Sequence, residues 1–89
     1  MFAEWDEEKA QSNLIKHGIS FEEAATVFDD PVAVTFSDQE HSEMEARYVT
    51  IGYSTQPRLL LVINTERDDN IRIISARKAT TAERKLYEQ

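Results

Sequence analysis

Eighty-nine residues with a formal net charge of −7 and no cysteine bound the chain to one small domain, 1–89, whose core forms without disulfide or thiolate–metal staples. With no apolar run near 18 residues and no basic-then-apolar leader, neither a membrane span nor a secretory signal is expected, and a cytoplasmic location is. The charge is uneven: residues 1–46 hold Lys9 and Lys16 against twelve acids, whereas residues 47–89 hold eight basic residues against five acids. The average therefore conceals a cationic C-terminal half that can face an anionic ligand.

Phe2 to Trp5 alternate weakly, which allows a short edge strand, and Asp6 is placed to cap a helix running through Leu14 and Ile15 to His17. Gly18 supplies the stop, with Lys16 and His17 in the last turn facing the negative end of the helix dipole. Ser20 and Glu23 have capping-box spacing for a second helix, whose buried stripe is Phe21, Ala24, Ala25 and Phe28 and which Asp29-Asp30-Pro31 ends. Val32 to Phe36 reads as a strand and residues 37–46 as an acidic loop. Arg47 to Ser54, Leu59 to Thr65 and Ile71 to Lys78 read as three strands of an antiparallel meander, the middle one covered on both faces. Thr80 and Glu83 cap a short last helix. The fold class is α+β: an antiparallel sheet of about four strands, two N-terminal helices and a short C-terminal helix.

The stretch Ile71 to Lys78 organises the chain because it is β-branched and charged at once. Regular alternation places Arg72, Ile74, Ala76 and Lys78 on one face and Ile71, Ile73, Ser75 and Arg77 on the other. Neither face is apolar throughout, so its arginines require a groove, an internal carboxylate or an anionic ligand. Arg47, Arg67, Arg72 and Arg77 fall on or beside adjacent strands, where guanidinium groups can gather to grip phosphate, or can pair with Glu4, Glu66, Asp68 or Glu83. Arg72 and Arg77 reach one site only if the strand twists or bulges, or if Arg77 lies at its end. His17 and His41 are the only imidazoles; His17 reads as a helix-end residue or a functional group, His41 as solvated surface. The acidic pairs Glu7-Glu8, Glu22-Glu23 and Asp29-Asp30 read as solvated faces. No glycine-rich phosphate loop or metal-ligand spacing is present, so no cofactor and no metal are expected.

Trp5-Asp6, Asn13 with Lys16-His17-Gly18, Phe21-Glu22-Glu23-Ala24, Val27-Phe28-Asp29-Asp30, Arg47-Tyr48 with Gly52, Thr65-Glu66-Arg67, and above all Arg72-Ile73-Ile74-Ser75-Ala76-Arg77-Lys78-Ala79-Thr80 with Glu83-Arg84 and Tyr87 resemble the BrnT family over essentially the whole chain. The resemblance implies a compact RelE-like fold and a bacterial type II toxin that cleaves RNA. It also implies neutralisation by a BrnA-like antitoxin carrying a ribbon-helix-helix module, with two toxins on an antitoxin dimer and DNA contacted only through the antitoxin. In a metal-independent endoribonuclease of this kind Arg72 and Arg77 stabilise the phosphate, His17 or Lys16 assists proton transfer, and Arg47 and Arg67 position the strand. The low charge departs from what a ribonuclease usually shows. Two alternatives stand beside this: a non-catalytic antitoxin-binding module acting in operon autoregulation, and a metabolic or regulatory domain with a structural arginine network.

Overall fold

Each helix of the structure, a computed structural model describing residues 2–41 and 45–89, begins where a side-chain oxygen replaces a missing backbone partner. The Asp6 carboxylate accepts from the Glu8 N–H at 2.8 Å and opens α1, Glu7–His17. Ser20 accepts from the Glu23 N–H at 3.0 Å and opens α2, Phe21–Ala25, and Thr80 and Glu83 form a reciprocal capping box that opens α3, Thr81–Tyr87. Gly18 ends α1 in the left-handed conformation at φ 71°, its N–H donating to the Leu14 carbonyl. The three starts and the stop at Gly18 are those expected from sequence, whereas α2 ends at Ala25 instead of running on through Phe28. After α2 the chain tightens into a 3-10 turn, Thr26–Asp29.

The strands are β1 (Ala3–Glu4), β2 (Val34–Ser37), β3 (Arg47–Tyr53), β4 (Leu59–Arg67) and β5 (Asn70–Lys78), in the spatial order β1-β5-β4-β3-β2. β3 to β5 form the anticipated antiparallel meander and β2 joins it antiparallel to β3, but β1 runs parallel to β5. The sheet is therefore five-stranded and mixed, which corrects the antiparallel sheet of about four strands. The short edge strand allowed over Phe2 to Trp5 is present as β1, but two paired residues carry too little pattern to declare its direction. β2 starts two residues later than expected, because the Asp30 carboxylate takes the Val32 N–H at 3.0 Å and keeps that residue in the turn. Asp68 and Asp69 both take positive φ, 52° and 69°, as a two-residue type I′ hairpin requires between β4 and β5. The His41 side chain and the 42–44 stretch of the expected acidic loop lie outside the described residues.

α1 and α2 cover one face of the sheet, burying Ile19, Phe21, Ala24 and Val27 against Leu60, Val62, Ile73 and Ala76. At Gly52 the chains approach so closely that a Cβ would sit 2.9 Å from both Ala33 Cβ and Val27 Cγ1. The other face carries Val49, Ile51, Leu59, Leu61 and Ile63 and is covered at one end by α3 through Tyr87.

Regular alternation fails in β5. Asn64 pairs with Ile73 and Ile63 with Ser75, leaving Ile74 as an extra residue, a β-bulge. Directly opposed residues share a face, so Arg72, Ser75 and Arg77 lie with Thr65, Ile63 and Leu61 on the face that α1 and α2 leave open. Ile73 and Ala76 face the helices, each 1% exposed. The two arginines thus share a face, which a regular strand would forbid.

β1 covers β5 only at Ile71 and Arg72. Beyond it, the edge is closed at Ala76 by the buried Asn13 side chain, whose Nδ2 donates to the Ala76 carbonyl at 2.9 Å while its Oδ1 accepts the Ala76 N–H at 3.1 Å. The same Nδ2 donates to the Ile19 carbonyl at 2.9 Å, tying the α1–α2 corner to the strand. Asn13→Leu, similar in volume, orphans these buried groups at about 1–3 kcal/mol each. It should lower Tm by roughly 10 °C or more in thermal unfolding, and a variant melting within a degree of wild type would show that the edge needs no such partner.

Candidate functional site

One turn of α1 after another presents Lys9, Ser12, Asn13 and Lys16 on a single side, and His17 follows at the helix end. With Ile74 and Ser75 of β5 they line a groove of about 200 Å³ along the partly uncovered strand edge. The bulge residue Ile74 is part of its lining. No carboxylate lines this groove, although the N-terminal half is acidic; both of that half's lysines, Lys9 and Lys16, are in it. Lys16 and His17 were expected at a site from sequence. Lys9 was not, because its role depends on where α1 lies against β5.

Arg47, Thr65 and Arg72 are direct neighbours across β3, β4 and β5, so the two arginine stems flank Thr65 at a Cα separation on the order of 10 Å. Thr65 is 1% exposed, and its hydroxyl donates to the Ala46 carbonyl. Arg67 lies on the same face at the hairpin end of β4. Arg77 shares the face but stands five residues from Arg72 along β5, roughly 15 Å away. The open face therefore gathers Arg47, Arg67 and Arg72 at one end, with Arg77 apart from them beside α3. Because Ser75 both lines the edge groove and pairs with Ile63 on the open face, the groove and the arginine row adjoin along one strand.

Three of these cations hold carboxylates. Arg72 donates to Glu4 at 2.9 Å, Arg67 to Glu45 at 3.3 Å, and Arg77 grips Glu83 with both ends of its fork at 2.8 Å. Glu4 and Glu83 are among the acids the sequence offers as partners; Glu45 takes the place given to Glu66 and Asp68. Glu23, read from sequence as part of a solvated face, is instead buried: 4% exposed, it accepts from the Ser54 hydroxyl at 2.7 Å and from Arg58 across 35 positions of sequence. Arg58 chiefly holds the Glu23 carboxyl below its usual range, against the opposing effect of burial. At Asp30 burial disfavours the charge, but hydrogen bonds from the Tyr53 N–H, the Tyr87 hydroxyl and the Val32 N–H outweigh it and lower the carboxyl's pKa. Its bond to Tyr87 is the main reason that phenol is pushed up to about 12.

Arg77 is also the main cause that holds Glu83 down to about 2 from an ordinary 4.5. A depressed carboxylate contributes stability that is fully present above pH 4.5 and is lost as the pH falls toward 2. Since the Arg77 side chain is 40% exposed, solvent screening reduces this contribution to about 1–2 kcal/mol. Tm measured against pH for wild type and Glu83→Gln should show a gap above pH 4.5 that narrows as the pH approaches 2. A gap independent of pH would assign the effect to altered hydrogen bonding around the side chain instead of to its charge.

Among the described residues no group of three or more His, Cys, Asp or Glu side chains could hold a metal ion, and no helix is long and apolar enough to cross a membrane. No curated protein matches the chain by sequence. Among solved structures, the 1.1 Å crystal structure of the Brucella abortus ribonuclease toxin, BrnT, is 25% identical. It superposes with a TM-score of 0.69, covering 91% of this chain and 100% of its own. A family model described as the ribonuclease toxin, BrnT, of type II toxin-antitoxin systems matches residues 5–83, which include α1, the whole sheet from β2 to β5 and the start of α3. The chain belongs to the BrnT family of ribonuclease toxins of type II toxin-antitoxin systems.

Proposed function

We propose that the RNA lies along β5, with the scissile phosphate between the edge groove of Lys9, Lys16 and His17 and the side chain of Arg72. The observation that carries this is the bulge at Ile74, which puts Arg72 on the open face while Ile74 itself lines the edge groove. In the proposed reaction the 2′-hydroxyl oxygen attacks the adjacent phosphorus. The O2′–P bond forms as the P–O5′ bond breaks, giving a 2′,3′-cyclic phosphate and a 5′-hydroxyl. His17 accepts the proton from the 2′-hydroxyl, Lys16 offsets the developing charge and assists protonation of the leaving oxygen, and Arg72 holds the non-bridging oxygens. Arg47 and Arg67 position the strand on the open face.

Arg72 suits this role better than Arg77. The Arg72–Glu4 bridge is partly exposed, 26% and 34% at the two side chains, and a bridge of that kind contributes about 0–1 kcal/mol, so a phosphate can displace Glu4 at little cost. The Arg77 fork is filled by Glu83, and Arg77 reaches a phosphate only when that pair opens. The chemistry is metal-independent in this proposal, since lysine, imidazole and guanidinium supply the charge and proton transfer. The same proposal takes residues 1–89 as one RelE-like toxin domain acting in the cytoplasm. Its inhibitor is a BrnA-like ribbon-helix-helix antitoxin, two toxins to an antitoxin dimer, which alone contacts DNA. The acidic outer side of α1, where Glu7 and Glu8 accompany Leu14 at 51% and Ile15 at 88% exposure, suits a basic antitoxin segment with apolar anchors.

One observation favours a second reading, a non-catalytic antitoxin-binding module in operon autoregulation: Arg67, Arg72 and Arg77 each already hold a carboxylate. Purified, antitoxin-free protein incubated with RNA in chelator separates the two. The ribonuclease proposal expects fragments ending in cyclic phosphate, lost by about 10²–10⁴-fold in His17→Ala and about 10²-fold in Arg72→Ala, with Tm close to wild type. Cleavage only on addition of a divalent metal contradicts metal independence, and no cleavage under either condition selects the binding module.

A further inference from the structure

We propose that a second groove, at the far end of β5, is a phosphate-binding subsite that holds the RNA backbone away from the cleavage centre. This rests on the ribonuclease reading for its ligand, and on separate residues for its geometry. The groove encloses about 330 Å³ between Tyr53, Pro57 and Leu59 on one side and Lys78 and Arg84 on the other, with Arg58 at its wall. No carboxylate lines it.

Its charges are not neutralised in the way the arginines of the open face are. Arg58 is committed to Glu23, and Lys78 acts on that buried carboxylate only through space, with no direct ion pair. Among the described residues neither Lys78 nor Arg84 makes an ion pair. Arg84 instead donates from Nη1 to the Tyr53 hydroxyl at 2.8 Å, a neutral acceptor that orients the guanidinium and leaves its charge intact. Tyr53 is itself steadied by an edge-to-face contact with Tyr87, ring centroids 5.4 Å apart. A preoriented guanidinium beside an exposed ammonium in a concave surface is suited to a phosphodiester: the fork supplies paired donors and the lysine a point charge.

The position selects RNA over an acidic peptide. Lys78 is six residues beyond Arg72 on the same strand, roughly 20 Å along it, and the edge groove lies between them. A single strand seated over Lys16 and His17 and continued in the direction of β5 reaches Lys78 and Arg84. The subsite extends the contact without taking part in the chemistry, so its loss raises KM and leaves kcat in place.

The test is fluorescence anisotropy of the full chain with a labelled single-stranded RNA blocked by 2′-O-methyl groups, titrated over a range of salt concentrations. Each lost phosphate contact on a single strand reduces the slope of log K against log salt by about 0.7. Lys78→Ala/Arg84→Ala should therefore lower the slope by about 1.4 and raise KM several-fold on cleavable RNA with kcat unchanged, and Lys78→Arg/Arg84→Lys should restore both. An unchanged slope in the alanine variant, with Tm at the wild-type value, overturns the subsite even if wild type cleaves RNA. A reduced slope with no cleavage by wild type keeps the subsite and removes the ribonuclease reading. Equal or tighter competition by a polyglutamate peptide overturns the assignment to phosphodiesters.

Discussion

The backbone of Ala76 finds its partner in a side chain instead of a strand, and the candidate site depends on that substitution. A full-length strand beside β5 would satisfy its edge and bury it; β1 pairs for two residues and stops. Asn13 then supplies one donor and one acceptor to Ala76, enough to close the exposed ladder there without covering it. The same contact fixes the azimuth of α1, so the next turns of that helix set Lys9, Lys16 and His17 along the remaining edge. A structural hydrogen-bond requirement and the candidate groove are met by one helix face.

Charge is distributed by the same logic. A net charge of −7 disfavours RNA on average, but the charge that matters lies within about a Debye length, near 10 Å, of the bound strand. Along the proposed path three acids are engaged: Glu4 by Arg72, Glu83 by Arg77 and Glu23 by Arg58. The pairs differ in permanence. Glu83 also caps α3 and is held at about 2, so its bond to Arg77 anchors the C-terminal helix to the sheet. The partly exposed Arg72–Glu4 pair, held by one hydrogen bond, is in the proposed reading the one a phosphate exchanges into. On that reading ion pairing and phosphate binding are compatible in a single arginine set, because the Arg77–Glu83 fork is bidentate and caps a helix whereas Arg72 holds Glu4 by one hydrogen bond.

Local features were readable from the sequence because their causes are local. Asp6, Ser20 with Glu23, Thr80 with Glu83, and Gly18 each announce a helix end within four residues, and all four stand where expected. The meander was legible from alternation and turn residues, and Glu4 and Glu83 were recognisable as arginine partners. The bulge was not: Ile73-Ile74-Ser75 continues a strand pattern without interruption, and only the opposing register at Ile63 and Asn64 exposes the extra residue. β1 was too short to reveal its parallel pairing. Lys9 and the Glu23–Arg58 pair were hidden for a common reason, since each depends on how α1 or α2 packs against a sheet whose strands come later in the chain.

Titration of isotope-labelled protein with an uncleavable 2′-O-methyl RNA, followed by amide chemical-shift perturbation, locates the bound strand directly. The bulged edge of β5 as RNA path predicts the largest shifts at Lys9, Ser12, Lys16, His17, Ile74 and Ser75, with Arg72 following. Shifts confined to the opposite edge of the sheet, Val34–Ser37 of β2, would contradict it.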